Sequence, residues 1–230
     1  MEFELFSKLH IFYLLGYSIF FTILYFIVSL NRDPSRVMRY ISISILGIKC
    51  IELFIRYKLI GEAWTHLLPL HLCNIVLIFA IFGNIFRFKP FLYAEFFWSI
   101  GALFAILTPE IRNNFPDFFN ISFFSTHFYI IFTAIVEYRV FDLRPTLVNW
   151  LGSLLSLNLI SVGVFLINSV LGTNYLYISK KPTFNSPLNY LGDWPNYIIS
   201  VEIIYIVLTL MLLFLFKNGK LKRKKFKQID

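Results

Sequence analysis

Cys73 and His127 are the two residues of this chain best suited to act as a nucleophile and its base. A thiol attacks a carbonyl carbon as the thiolate, so it needs a partner that takes its proton. Cys73 lies in Leu68-Pro69-Leu70-His71-Leu72-Cys73-Asn74, and His127 in Phe124-Ser125-Thr126-His127-Phe128. His71 and Cys73 are two positions apart and do not meet on a helix face, so the base for Cys73 has to come from another segment. His71 and Asn74 are three apart, share a face, and could help hold an oxyanion. Glu52 and Glu202 are carboxylates that could orient His127. Together these groups would support nucleophilic catalysis by a thiolate. Each also has a plainer reading. Cys73 could be a small buried hydrophobe. His127 could be a hydrogen-bonded packing residue. Lys49, Glu52 and Arg56, spaced three and four apart, could be an ion ladder that eases insertion. Glu95 could belong to a separate structural pair, and Asn158 could be interhelical glue.

The elements that must position these residues are apolar runs. The 230 residues are 58% apolar and 15% charged, with 28 Phe and 13 Tyr. A soluble domain of this size could not hide that much apolar surface, so lipid is the expected solvent for most of the chain. Seven runs are long enough to span a ~30 Å hydrocarbon core. They cover roughly 10–30, 38–60, 66–84, 90–109, 119–138, 145–171 and 195–216. The third is the shortest and contains Pro69, which removes one backbone bond and frees the carbonyl of Thr65. The first run lacks a basic leader and a small-residue cleavage site, so it reads as a span and not as a removable signal.

The expected fold is therefore all-α: a polytopic membrane helix bundle of about seven transmembrane helices. Residues 1–216 form one transmembrane domain and residues 217–230 a basic cytoplasmic tail. With seven spans and the C-terminus inside, fourteen Lys/Arg fall on the inner side and six on the outer side. That bias predicts the N-terminus outside, the C-terminus inside, and a multi-pass location in the cell membrane. The tail carries most of it, with seven Lys/Arg against Asp230. Such a tail suits anionic lipid head groups, and nucleic acid is not an expected partner.

Counting about 1.5 Å per residue from the outer end of each span puts Glu52, Cys73, His127 and Glu202 about 11–12 Å deep, with His71 about 8 Å deep. Ionisable groups at such depth usually face the bundle interior. Four spans thus converge on one polar layer in the outer half of the membrane. Glu202 could pair there with His127 or Arg112. Two turn-rich outer segments, Thr108 to Pro116 and Gly172 to Tyr197, lie over this layer as a lid or as an interfacial aromatic belt.

Several short pieces carry a resemblance. They are Leu68-Pro69-Leu70-His71-Leu72-Cys73, Pro109-Glu110 with Phe115-Pro116, Phe123-Phe124 with His127, Gly172-Thr173-Asn174-Tyr175-Leu176-Tyr177 with Lys181-Pro182, and Gly192-Asp193-Trp194-Pro195-Asn196-Tyr197. On these the chain resembles the YwaF-like family of bacterial integral membrane proteins. That family looks distantly similar to a vertebrate multi-pass phospholipid acyltransferase with a catalytic cysteine. The resemblance implies Cys73 as the nucleophile and His127 as the family histidine. His71 occupies a position that is often Gln in relatives.

Two functions remain open at this point. One is a lipid acyltransferase with membrane lipids and an acyl-lipid substrate as partners and no cofactor. The other is a solute-binding or transport protein in which Glu52, His127 and Glu202 serve as ligands or proton carriers. A retinal receptor is a poor fit, since the seventh run holds no lysine and Lys49 is the only mid-membrane lysine. A metal site from His71, Cys73 and His127 is conceivable, but the spacing does not demand it.

Overall fold

The computed structural model describes residues 5–109, 117–183 and 186–217. The described residues are helical or irregular, with no strand among them. Residues 110–116, which include Arg112 and most of the first outer segment, lie outside this set, as does the basic tail beyond Lys217.

Local chemistry starts the helices where the apolar runs begin. α1 (Lys8–Leu30) is capped by Ser7, whose side chain accepts from the His10 amide. α2 (Pro34–Phe54) is capped by Asp33, with Pro34 in the first turn, where its missing N–H costs nothing. A π-helical turn, Ile55–Leu59, continues α2. Next come α3 (Trp64–Leu67), α4 (Leu72–Phe86), α5 (Lys89–Trp98) and α6 (Ile100–Leu107). α7 (Phe118–Arg139) is capped by Asp117, and α8 (Leu147–Leu171) opens with a Thr146/Asn149 capping box. Gly172, at φ +66°, ends α8 in the left-handed conformation that glycine tolerates best. α9 (Asn196–Lys217) closes the described chain.

α7 is the hub and packs against α1, α2, α4, α5 and α6. Tyr129 and Phe124 on it are fully buried, and Phe124 stacks on Tyr13 of α1 at 4.5 Å between ring centres. α4 and α5 lie so close that a Cβ on Gly83 would sit 2.8 Å from a methyl of Leu92. At the end of α4, Arg87 makes a two-pronged bond to Glu137 of α7 at 2.5 and 3.0 Å. The outer helices are greasy outward: Phe12, Leu15 and Ile19 on α1, Leu155, Leu159 and Val162 on α8, and Ile203, Val207 and Met211 on α9 are each more than half exposed. An apolar belt of that extent suits a hydrocarbon surround.

All seven apolar runs are helical, but they are not seven unbroken spans. Four helices, α1, α7, α8 and α9, are long and apolar enough to cross a membrane, and a fifth crossing is available if α5 and α6, bent by 40° at their junction, act as one. The expected count of seven is not supported, for two physical reasons. α2 carries Arg36, Arg39, Lys49 and Glu52 within its 21 residues. The third run is broken at Pro69, leaving α4 with 15 residues, about 22 Å of helix against a ~30 Å core.

Candidate functional site

The break at Pro69 decides where Cys73 sits. α3 ends at Leu67, the backbone runs extended through Leu68 and His71, and α4 starts afresh at Leu72. Cys73 is therefore the second residue of a helix. First-turn N–H groups have no intrahelical partner, and the positive end of the helix dipole favours negative charge there. His71, as the N-cap, gives no side-chain bond to these amides. The sequence marks Pro69 as a kink, but it does not show that the helix restarts immediately before the cysteine.

The freed carbonyl of Thr65 is taken up by the Tyr175 hydroxyl at 2.6 Å. Tyr175 belongs to the long segment after α8, and that segment is pinned by asparagines. Asn168 accepts from the Thr173 hydroxyl and the Tyr175 amide, both at 2.9 Å, and donates to the Tyr175 carbonyl at 3.0 Å. Asn174 accepts from the amides of Ser179 and Lys180. The Tyr197 hydroxyl and the Trp194 indole N–H hold the carbonyls of Tyr177 and Ile178. The Gly172–Tyr177 and Gly192–Tyr197 pieces thus build one cover over the start of α4. Tyr175→Phe should lower stability by about 1 kcal/mol, the usual net worth of one buried hydrogen bond. Thermal unfolding of the purified protein in detergent measures it.

Two cavities flank Cys73. The first, about 530 Å³, is polar and lined by Lys49, Glu52, Arg56, Glu62, Asn74, Asn120 and His127 together with Cys73. The second, also about 530 Å³, is mostly apolar and lies between α8 and α9 beneath the cover; His71, Asn158, Tyr177, Tyr197 and Glu202 line it with Cys73. Cys73 forms part of the wall of both. The polar layer is therefore not one chamber: Glu52, Cys73, Asn74 and His127 come together, and His71 and Glu202 stand on the other side. His71 and Asn74 do not share a face, because His71 precedes the helix in extended backbone. The His71 ring packs against Tyr175 and Tyr177 at 5.0 and 5.4 Å. Glu202 accepts from Asn158 at 2.9 Å, which joins α9 to α8, and does not reach His127.

Neither carboxylate orients His127. Its Nδ1 lies 2.8 Å from the carbonyl of Phe123, one turn earlier on α7. A carbonyl oxygen only accepts, so Nδ1 carries the proton, and in the neutral ring Nε2 holds the free lone pair. That is the tautomer a base requires, and α7's own backbone sets it. Glu52 is occupied elsewhere. It takes Lys49 Nζ at 2.9 and 3.0 Å, the Ser122 hydroxyl at 2.6 Å and Arg56 at 3.5 Å. Arg56 in turn makes two 2.7 Å bonds to Glu62, a residue the sequence did not single out. Its only signal was Gly61, which lets the chain turn back after the π-helical turn at φ +77°. Ser122 was also missed. Glu95 is fully buried, and neither carboxylate oxygen has a hydrogen-bond partner among the described residues, so the expected structural pair is not formed. Among the described residues no three His, Cys, Asp or Glu are grouped to hold a metal ion.

An all-helical molecule with greasy outer helices and a charged interior cavity is a membrane-type protein. More narrowly, the chain belongs to the TMEM164 family, whose sequence profile matches residues 5–213. It is also similar to an uncharacterized protein of Treponema pallidum (strain Nichols), at 30% identity over 125 residues. That alignment covers 53% of this chain and 51% of the relative, so it spans about half the length of each. No solved structure matches.

Proposed function

We propose that the protein is a lipid acyltransferase in which Cys73 is the nucleophile and His127 the base. The observation that carries this reading is the position of Cys73 on the wall between a polar cavity, which also holds His127, and an apolar cleft. Acyl transfer between lipids needs those two surroundings at one reacting atom: an apolar slot for the chain and a polar chamber for head groups and proton movement. The resemblance to YwaF-like proteins and to a vertebrate phospholipid acyltransferase supports the same assignment.

The steps balance with this chain's own groups. His127 Nε2 takes the thiol proton as Sγ attacks the ester carbonyl of an acyl lipid. The S–C bond forms, the C–O bond breaks, and His127 returns the proton to the leaving alkoxide. A second lipid's hydroxyl then attacks the thioester, giving its proton to His127, and the thiolate leaves and is reprotonated. The Asn74 side chain and the amides of Leu72 and Cys73 at the start of α4 would stabilise the oxyanion. In this reading α2 and α4 also cross the bilayer. The charges of α2 at Lys49 and Glu52 are turned into the cavity and satisfied there, which lowers the cost of insertion. Seven crossings with the N-terminus outside would place the site in the outer half of the cell membrane and the basic tail from Lys217 on anionic head groups inside.

The test is labelling in lipid nanodiscs with a hydrophobic activated-acyl probe, mapped by mass spectrometry. Cys50 is an internal control, since it is exposed on α2 while Cys73 is only partly accessible. Modification concentrated at Cys73 is the expected result. Modification that follows exposure, with Cys50 ahead, would sink the enzymatic reading and leave the polar cavity as a solute-binding site.

A further inference from the structure

We propose that Glu62 is a latch that occupies the phosphate position of the polar cavity: it holds Arg56 until a phosphodiester head group binds, and then has to leave. This rests on the lipid reading above and names what the polar chamber recognises. Among the described residues four charged side chains face that cavity, namely Lys49, Glu52, Arg56 and Glu62. They balance, but they are not held equally. Glu52 is fixed by Lys49, Arg56 and the Ser122 hydroxyl of α7, so it is the standing counter-charge of the cavity. Among the described residues Glu62 pairs with Arg56 alone, and does so in the two-pronged geometry that a guanidinium also offers to phosphate.

Glu62 stands on the short link between the π-helical turn and α3, just past Gly61. It is tied back to the same arginine a second time, by its amide to the Arg56 carbonyl at 3.0 Å. Its side chain is about a quarter exposed, so it can swing away without a void opening behind it. Arg56 itself rides on the π-helical turn, an irregularity that often marks functional sites. When Glu62 swings out, the cavity gains one net positive charge. A phosphodiester carries one negative charge and restores the balance. A phosphomonoester carries nearly two and does not fit the count as well.

The experiment measures binding, with no chemistry, to the full-length Cys73→Ala protein in neutral detergent. The probes share one acyl chain: lysophosphatidylglycerol, lysophosphatidic acid and a monoacylglycerol that lacks phosphate. Inorganic phosphate alone is a fourth probe. Lysophosphatidylglycerol is expected to bind best, and Arg56→Gln to weaken it at least tenfold while sparing the monoacylglycerol. Glu62→Gln is expected to strengthen lysophosphatidylglycerol about tenfold, again without effect on the monoacylglycerol. Glu62→Asp, which keeps the charge and shortens the reach, should give a smaller gain and serves if the glutamine variant does not fold. Unchanged or weaker lysophosphatidylglycerol binding in the Glu62 variants would overturn the latch and make Glu62 a loop clamp. Inorganic phosphate binding as tightly as the lipid would overturn the head-group assignment. If none of the acyl probes binds at all, the lipid reading itself fails, which is a different outcome from the latch failing.

Discussion

His127→Ala is expected to slow acylation of Cys73 by about two to four orders of magnitude, the usual contribution of a positioned general base. In activation free energy that is about 3–5 kcal/mol. Cys73→Ala should end acylation altogether, because no other thiol lies in the cavity. The size of the His127 effect follows from how the ring is held. Nδ1 is spent on the Phe123 carbonyl, so Nε2 alone can accept a proton, and no tautomer change has to precede the reaction. Because a backbone carbonyl sets the ring, removing a carboxylate should not release it. Glu202→Gln, which keeps an oxygen for Asn158 and faces the other cavity, should leave the rate within a few-fold. The measurement is the rate of thioester formation by intact-mass spectrometry in nanodiscs, with unfolding curves to show that each variant is folded. Equal rates for wild type and His127→Ala would return His127 to a packing role and remove the base from the mechanism.

The contrast between Glu202 and His127 indicates what the sequence could and could not reveal. Depth along a helix is legible, because the rise per residue is regular. Counting inward from the outer ends groups Glu52, Cys73 and His127, and these three line one cavity. Azimuth is not legible for a helix that is apolar nearly all round, and α9 is such a helix. Counting assigns Glu202 the same depth, but it bonds to Asn158 of α8. His71 fails differently: it lies before the helix begins, where helical spacing carries no information. Glu62 lies beyond Gly61 in a link with no period at all, so its pairing with Arg56 is a product of the fold. The number of crossings suffers from a related limit. Apolar composition runs smoothly through the break at Pro69 and the bend at Ser99, while hydrogen bonding does not. The existence of the helices was visible in composition, but their breaks, which create the site, were only partly visible.

Arg87→Ala should be among the most destabilising single changes in the molecule, at about 3 kcal/mol, the low end of the cost of stranding a buried ion-pair partner, because the Arg87 side chain is itself 29% exposed. Glu137 is 1% exposed and receives two bonds from the guanidinium. Arg87 also reaches the Asn84 amide oxygen at 3.3 Å and covers the Phe141 ring at 3.8 Å. Asn84 continues the network to Tyr129 and Thr133, and Tyr129 to Ser42, so α2, α4 and α7 are joined through it. Arg87 holds this place with φ at +53°, a conformation that an arginine adopts at a cost. Removing both partners in Arg87→Ala/Glu137→Ala should therefore hurt less than the sum of the single changes, since no charge is left stranded. Chemical unfolding in detergent gives the three values. Arg87 and Cys73 sit at opposite ends of α4, about 20 Å apart at 1.5 Å per residue. Molecules of the Arg87→Ala protein that remain folded should therefore acylate Cys73 at the normal rate. Slowed acylation in that folded fraction would mean that the α2–α4–α7 network sets the geometry of the cavity, and that Arg87 positions the site as well as holding the bundle together.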